Sequence, residues 1–257
     1  MKFVQAIFAL VLMAVLPGQA FVQSIGSSKV LLVETGDGFH GGEVKARNGE
    51  TWLGLYVTKQ GSFLADSKVT VRRVIDVVVD EDPARPTGKS VSVDRRPNPV
   101  FLVKNAEMLK PGAVSTAYRR SEARRQSLKV GTPLRLKLGE QNYQLKVVSQ
   151  RPRPKSCESC LPVDARLLLN IGASTQVIFD LGAHLKKVWG QEMPSEDEIE
   201  MPEWSLLWAG DVDADGKLDL YLGVTGENME EHLLLLSSAA RPKQLVREIA
   251  RFTITGC

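Results

Sequence analysis

The stretch Asp211-Val-Asp-Ala-Asp-Gly-Lys-Leu-Asp219 constrains this chain more than any other, because it places aspartates at positions one, three, five and nine around Gly216. Four carboxylates in so short a loop repel one another unless a hard cation lies among them. Calcium binds six to eight oxygen atoms at about 2.3–2.6 Å in flexible geometry. The spacing predicts a calcium loop. Its expected ligands are the main-chain carbonyl of Lys217, water, and the side chains of Asp211, Asp213, Asp215 and Asp219.

The segments on both sides of the loop predict strands rather than helices. Residues 204–209 and 218–224 each alternate large apolar residues with other residues, and a period of two is typical of a strand. Leu222 stands at loop position twelve, where an EF-hand would have a bidentate glutamate. The loop is therefore expected to close a β-hairpin.

This hairpin resembles the calcium-binding hairpin of FG-GAP repeats, the integrin-like blades also known as VCBS repeats. The resemblance covers roughly Trp208 to Val224, with Ala214 where that family often has glycine or asparagine. It implies a calcium-binding hairpin in a protein that binds a protein or glycan partner. No second copy of the loop occurs in the sequence, so a full propeller is not expected.

The first twenty residues have the pattern of an export signal: Lys2, an apolar run from Phe3 to Leu16, and small residues before a cleavage point after Ala20. An uncleaved anchor is the alternative. No later apolar run is long enough to span a bilayer, so no membrane insertion of the mature chain is expected. The sequence predicts a periplasmic or secreted protein, in a compartment where calcium is abundant.

Charge and cysteine content narrow the classes of partner and chemistry. Removing Lys2 lowers the formal charge from +3 to +2, which does not favour a nucleic-acid partner. The three cysteines are Cys157, Cys160 and Cys257, and in an oxidising compartment one disulfide is expected, either Cys157 to Cys160 or one of these to Cys257. Prolines around the C-x-x-C pair indicate a loop, which favours a structural disulfide over redox catalysis.

The distribution of apolar runs predicts a mainly β fold with two β-rich modules, residues 21–120 and residues 121–257, divided at a basic stretch. Asn48-Gly49 predicts a hairpin between Glu43–Arg47 and Thr51–Val57. In the second module, strands are expected at 134–138, 143–148, 166–171 and 175–180. Residues 245–255 fit helical spacing at first and a strand at the end, so both alternatives remain open.

The sequence contains no G-x-S-x-G, H-E-x-x-H or P-loop motif. Glu230, Glu231 and His232 are adjacent, and neighbouring residues point in different directions, so convergence on one substrate is not expected. We expect a non-enzymatic exported β protein whose calcium is structural. The alternative is an exported hydrolase with a structural calcium and an active site assembled only by folding.

Overall fold

A computed structural model describes residues 29–119, 126–152, 161–189, 202–226 and 228–256. The predicted export signal and all three cysteines lie outside these ranges, so export and disulfide pairing stay predictions. The secondary structure consists of sixteen strands and one helix in the described residues, which confirms the mainly β fold. Within the same ranges, no helix is long and apolar enough to cross a membrane.

The strands before residue 130 range from two to fourteen residues in length. They are β1 (Leu31–Val33), β2 (Gly36–Phe39), β3 (Thr51–Thr58), β4 (Gly61–Val74), β5 (Gly88–Val93), β6 (Leu102–Lys104), β7 (Gly112–Arg119) and β8 (Gln126–Ser127).

The remaining elements form two groups along the chain. The first comprises β9 (Leu134–Leu138), β10 (Gln141–Val148), β11 (Arg166–Ile171), β12 (Ser174–Asp180) and the helix α1 (Leu181–Trp189). The second comprises β13 (Glu203–Asp211), β14 (Asp219–Gly226), β15 (Met229–Leu236) and β16 (Arg247–Thr255). Strand β16 shows that the C-terminal segment, for which the sequence left a helix and a strand open, is a strand.

The larger of the two sheets has the strand order β1-β6-β3-β4-β7-β13-β14-β15-β16, with β2, β5 and β8 attached at its side. All of its strand pairs are antiparallel. Its first and last strands, β1 and β16, come into contact, so this sheet is a nearly closed barrel. It contains strands from both sides of residue 120, and the predicted domain bounds stay a prediction.

The smaller sheet has the order β12-β11-β10-β9 and is also antiparallel. Its strands coincide closely with those predicted from the sequence. One face carries buried apolar side chains such as Leu136, Leu145 and Leu169, which pack against Leu206 and Leu222 of the barrel. The two sheets therefore share one core, and a second core that includes Trp52, Leu55 and Phe101 fills the barrel.

The predicted hairpin between Glu43–Arg47 and Thr51–Val57 is wrong. Strand β3 pairs with β4 and β6 instead, and residues 43–47 form no strand. Val44 and Ala46 are nevertheless buried in the barrel core, which explains the alternating pattern in the sequence. Their side chains pack against the core while their backbone stays outside the ladder of hydrogen bonds.

Candidate metal site

The acidic loop lies where the sequence placed it, at the tip of the β13–β14 hairpin. Gly210 pairs with Asp219 across the two strands, so the loop residues close the hairpin. Gly210 is tightly enclosed, since a Cβ atom there would lie 2.1 Å from the carbonyl oxygen of Ser115 on β7. At the tip, Ala214 and Gly216 have φ angles of 62° and 80°, in the left-handed region.

Three of the four aspartates bring their carboxylates together. Asp211, Asp213 and Asp215 each offer an oxygen atom, and these oxygens lie within 4.8 Å of one another. Backbone donors of the loop fix their orientation: the Gly216 amide donates to Asp211 Oδ2 at 3.0 Å, and the Lys217 amide donates to Asp215 Oδ1 at 2.8 Å. This arrangement of hard oxygen donors could hold a metal ion.

Asp219, the fourth aspartate, lies beneath the loop and is fully buried. Its Oδ2 accepts a hydrogen bond of 2.8 Å from the Val212 amide, and its Oδ1 accepts one of 2.8 Å from the Ser237 amide. It does not belong to the group of carboxylates within 4.8 Å. Burial raises the pKa of Asp219 to about 8, although its backbone hydrogen bonds favour the ionised form. The metal-ligand roles of Asp219 and the Lys217 carbonyl remain predictions.

Two serines that the sequence analysis missed complete the site. They lie in the turn after β15, next to the acidic loop. Ser237 Oγ donates to Asp215 Oδ2 at 2.8 Å and lies 3.1 Å from Asp219 Oδ1, and Ser238 Oγ hydrogen-bonds to Asp213 Oδ2. Burial raises the pKa of Asp213, and the bond from Ser238 partly offsets this. No local spacing links these serines to the loop, because folding alone brings the two turns together.

The smaller sheet supports the loop from the side. A cavity of about 340 Å³ lies between them, lined by Tyr143 and Leu169 of the sheet and by residues 215–218 of the loop. Burial raises the pKa of Tyr143, and a hydrogen bond to the Leu218 backbone opposes this shift. The acidic loop therefore contacts both sheets of the molecule.

A second polar cluster lies on β14 and β15 and involves His232, Glu230, Glu34 and Tyr221. His232 Nε2 lies 2.9 Å from Glu230 Oε1, and the Tyr221 hydroxyl donates to Glu34 Oε1 at 2.5 Å. His232 Nδ1 is 2.8 Å from Glu34 Oε1 but makes no hydrogen bond of good geometry, so we treat this contact as ionic. Burial lowers the pKa of His232, but the hydrogen bond to Glu230 and the negative charges of Glu34 and Glu230 outweigh it and raise this pKa to about 9.

Glu231 points to the opposite face of β15, where its Oε2 lies 2.6 Å from Arg251 Nη1 and 3.4 Å from His184 Nε2. Glu230, Glu231 and His232 therefore do not converge on one substrate position, as the alternation along a strand requires. The sequence analysis did not connect Glu34, His184 or Arg251 to these residues, since they come from distant strands and from α1.

The fold and the site thus define a mainly β protein with an acidic loop that could hold a metal ion on a hairpin of its barrel. No protein-family model, no curated protein and no solved structure matches the chain.

Proposed function

We propose that this chain is an exported, non-enzymatic protein that binds calcium at Asp211, Asp213 and Asp215 and recognises a protein or glycan partner. The observation that carries the proposal is the convergence of the three carboxylates within 4.8 Å of one another at the tip of the β13–β14 hairpin. Calcium suits the site because it accepts flexible coordination by carboxylates, backbone carbonyls and water, whereas magnesium requires near-ideal octahedral geometry.

The ion would act on structure rather than on chemistry. Its charge would offset the mutual repulsion of the carboxylates and hold the β13–β14 tip against the turn that carries Ser237 and Ser238. Export is supported by the leader-like first twenty residues and by the availability of calcium outside the cytoplasm. The FG-GAP resemblance of the hairpin supports a role in binding a partner.

Three cavities in the described part of the chain give the hydrolase alternative no support. Two of these three cavities have no carboxylate in their lining. The third has a single carboxylate in its lining, that of Asp215 in the acidic loop. A serine and histidine pair is also absent from the lining of these three cavities. Structural calcium in a binding protein therefore remains the function that the site supports best.

Thermal unfolding with calcium and with a chelator at matched ionic strength tests the proposal. Calcium at about 100 times its dissociation constant should stabilise the wild-type chain by about 2.7 kcal/mol. Asp215→Ala should remove most of this gain, and magnesium should give a smaller gain than calcium.

Asp37→Ala is the matched control, because Asp37 is exposed and lies outside the loop. This variant should keep the full response to calcium. Equal melting temperatures of the wild-type chain in calcium and in chelator would contradict the proposal.

A further inference from the structure

The outer face of the smaller sheet is largely polar, and along β9, β10 and β11 its described residues include no acidic side chain. Alternation along β9, β10 and β11 sends most of the apolar residues into the shared core, and it leaves the polar residues, with Val148 and Leu168 beside them, on the outer face. We call the polar part of this outer face the amide-cation face, and it consists of Arg135, Lys137, Asn142, Gln144, Lys146 and Asn170. Glu140 lies in the β9–β10 turn, and Asp180, at the end of β12, is opposite Arg166 at the edge of this face.

The strand register interleaves the cations and the amides. Gln144 lies opposite Arg135 on one side and opposite Asn170 on the other, and Asn142 lies opposite Lys137. Side chains opposite each other on antiparallel strands have Cβ atoms about 5 Å apart. Five of the six residues line a cavity of about 490 Å³, namely Arg135, Lys137, Asn142, Gln144 and Asn170. The face is therefore a shallow depression with several hydrogen-bonding groups directed to one place.

The charge of this face is not neutralised within the part of the chain that the structure describes. The side chains of Arg135, Lys137 and Lys146 are exposed and have no ion-pair or hydrogen-bond partner there. Arg166, at the edge of the same face, is instead 3.8 Å from Asp180. The three cations leave a local excess of positive charge, whereas the whole chain has a formal charge of only +3.

We infer that the amide-cation face binds an anionic polysaccharide, a sugar polymer that carries sulfate or carboxylate groups. Arginine and lysine provide charge-assisted hydrogen bonds to such groups. The amides of Asn142, Gln144 and Asn170 both donate and accept, which matches sugar hydroxyls. This inference rests on the proposed function, whose protein or glycan partner it narrows to one chemical class.

The composition of the face favours a glycan over the other anionic macromolecules. Its six residues include no aromatic side chain on which a nucleic-acid base could stack. A protein partner would bury an apolar or aromatic centre, and the apolar residues on this side of the sheet, Val148, Leu168 and the exposed Val177, do not line the cavity. Amides between cations are better suited to a hydroxylated anionic chain.

Fluorescence anisotropy with labelled dextran sulfate tests the inference in calcium-containing buffer. The wild-type chain should bind dextran sulfate and should not bind neutral dextran. The double variant Arg135→Gln/Lys137→Gln should weaken binding by about thirtyfold, since each of the two removed charge-assisted bonds contributes on the order of 1 kcal/mol. Arg73→Gln/Lys110→Gln removes the same charge from exposed positions elsewhere and should change binding less than about twofold.

Asn142→Ala keeps every charge and separates sugar recognition from attraction to any polyanion. It should weaken binding of dextran sulfate but leave binding of a DNA duplex unchanged. Equal affinity of the wild-type chain for dextran sulfate and DNA, or an unchanged affinity of the Arg135/Lys137 double variant, would overturn the inference.

The calcium melting experiment distinguishes a failure of the glycan inference from a failure of the proposed function. The metal loop and the amide-cation face use different residues on different sides of the smaller sheet. A chain that calcium stabilises but that does not bind dextran sulfate overturns the glycan inference alone. A chain that calcium does not stabilise fails the proposed function, whatever it binds.

Discussion

Ala214 shows at the residue scale where the loop departs from the most favourable sequence for its shape. Its φ angle of 62° lies in the left-handed region, which costs a residue with a Cβ atom about 1 kcal/mol or more. Ala214→Gly relieves this cost, although glycine also loses more entropy on folding. We expect a net stabilisation of about 0.5 kcal/mol, measured by urea unfolding.

Ala183→Gly is the control, because Ala183 is exposed within the helix α1. The same chemical change should there destabilise the chain by about 1 kcal/mol. Destabilisation of similar size in both variants would contradict the strain assigned to Ala214.

The residues of the metal site differ in how far the sequence could predict them. Asp211, Asp213 and Asp215 converge because their spacing is local, and a hairpin tip brings such neighbours together in almost any context. Ser237 and Ser238 reach the same carboxylates from 22 and 25 residues further along the chain. Their role depends on the length of β15 and on its pairing with β14, which no short pattern contains.

Elements were predictable where each strand has one buried and one exposed face. The β9–β12 strands satisfy this condition, and their predicted and observed bounds agree closely. Strand β15 is buried on both faces, so its run of leucines has no period by which to recognise it. Val44 and Ala46 alternate with polar residues as in a strand, but they are buried without strand pairing. The strand predicted there is therefore wrong.

At the same scale, the environment of His232 on β15 predicts how the free energy of unfolding depends on pH. His232 is buried, and its pKa of about 9 in the folded chain lies above its ordinary value of 6.5. Protonated His232 therefore contributes on the order of 3 kcal/mol to the stability of the folded chain. This contribution is complete below pH 6.5 and is lost as the pH rises towards 9. Urea unfolding between these pH values should show the decline, and His232→Gln should reduce its slope.

Some slope should remain in His232→Gln, because the hydrogen bond with Asp76 raises the pKa of His40 and burial raises the pKa of Asp219 to about 8. His184→Gln is the control. Burial lowers the pKa of His184, so this group does not titrate within the same window. If His184→Gln reduced the slope of stability against pH more than His232→Gln did, the assignment of this slope to His232 would be wrong.

For the whole molecule, the central question is whether the two sheets unfold together. The larger sheet joins β7 to β13 and so links the two halves of the chain by backbone hydrogen bonds. The smaller sheet adds its apolar face to the core on the outside of the barrel, where Phe179 packs edge-on against Trp204 with ring centroids 5.3 Å apart. Neither the pairing of β7 with β13 nor the packing of the smaller sheet on the barrel was predictable, because sequence patterns indicate strands and not their distant partners.

This shared packing predicts one cooperative unfolding transition. Leu55 lies in the barrel core and Leu145 in the core between the sheets, and both are fully buried. Leu55→Ala and Leu145→Ala should each destabilise the chain by about 2–5 kcal/mol and shift the same calorimetric transition. The calorimetric and van't Hoff enthalpies should agree in all three chains. Two transitions, each moved by only one of the variants, would instead show two independently folding domains, with the boundary then falling between the sheets rather than within the barrel.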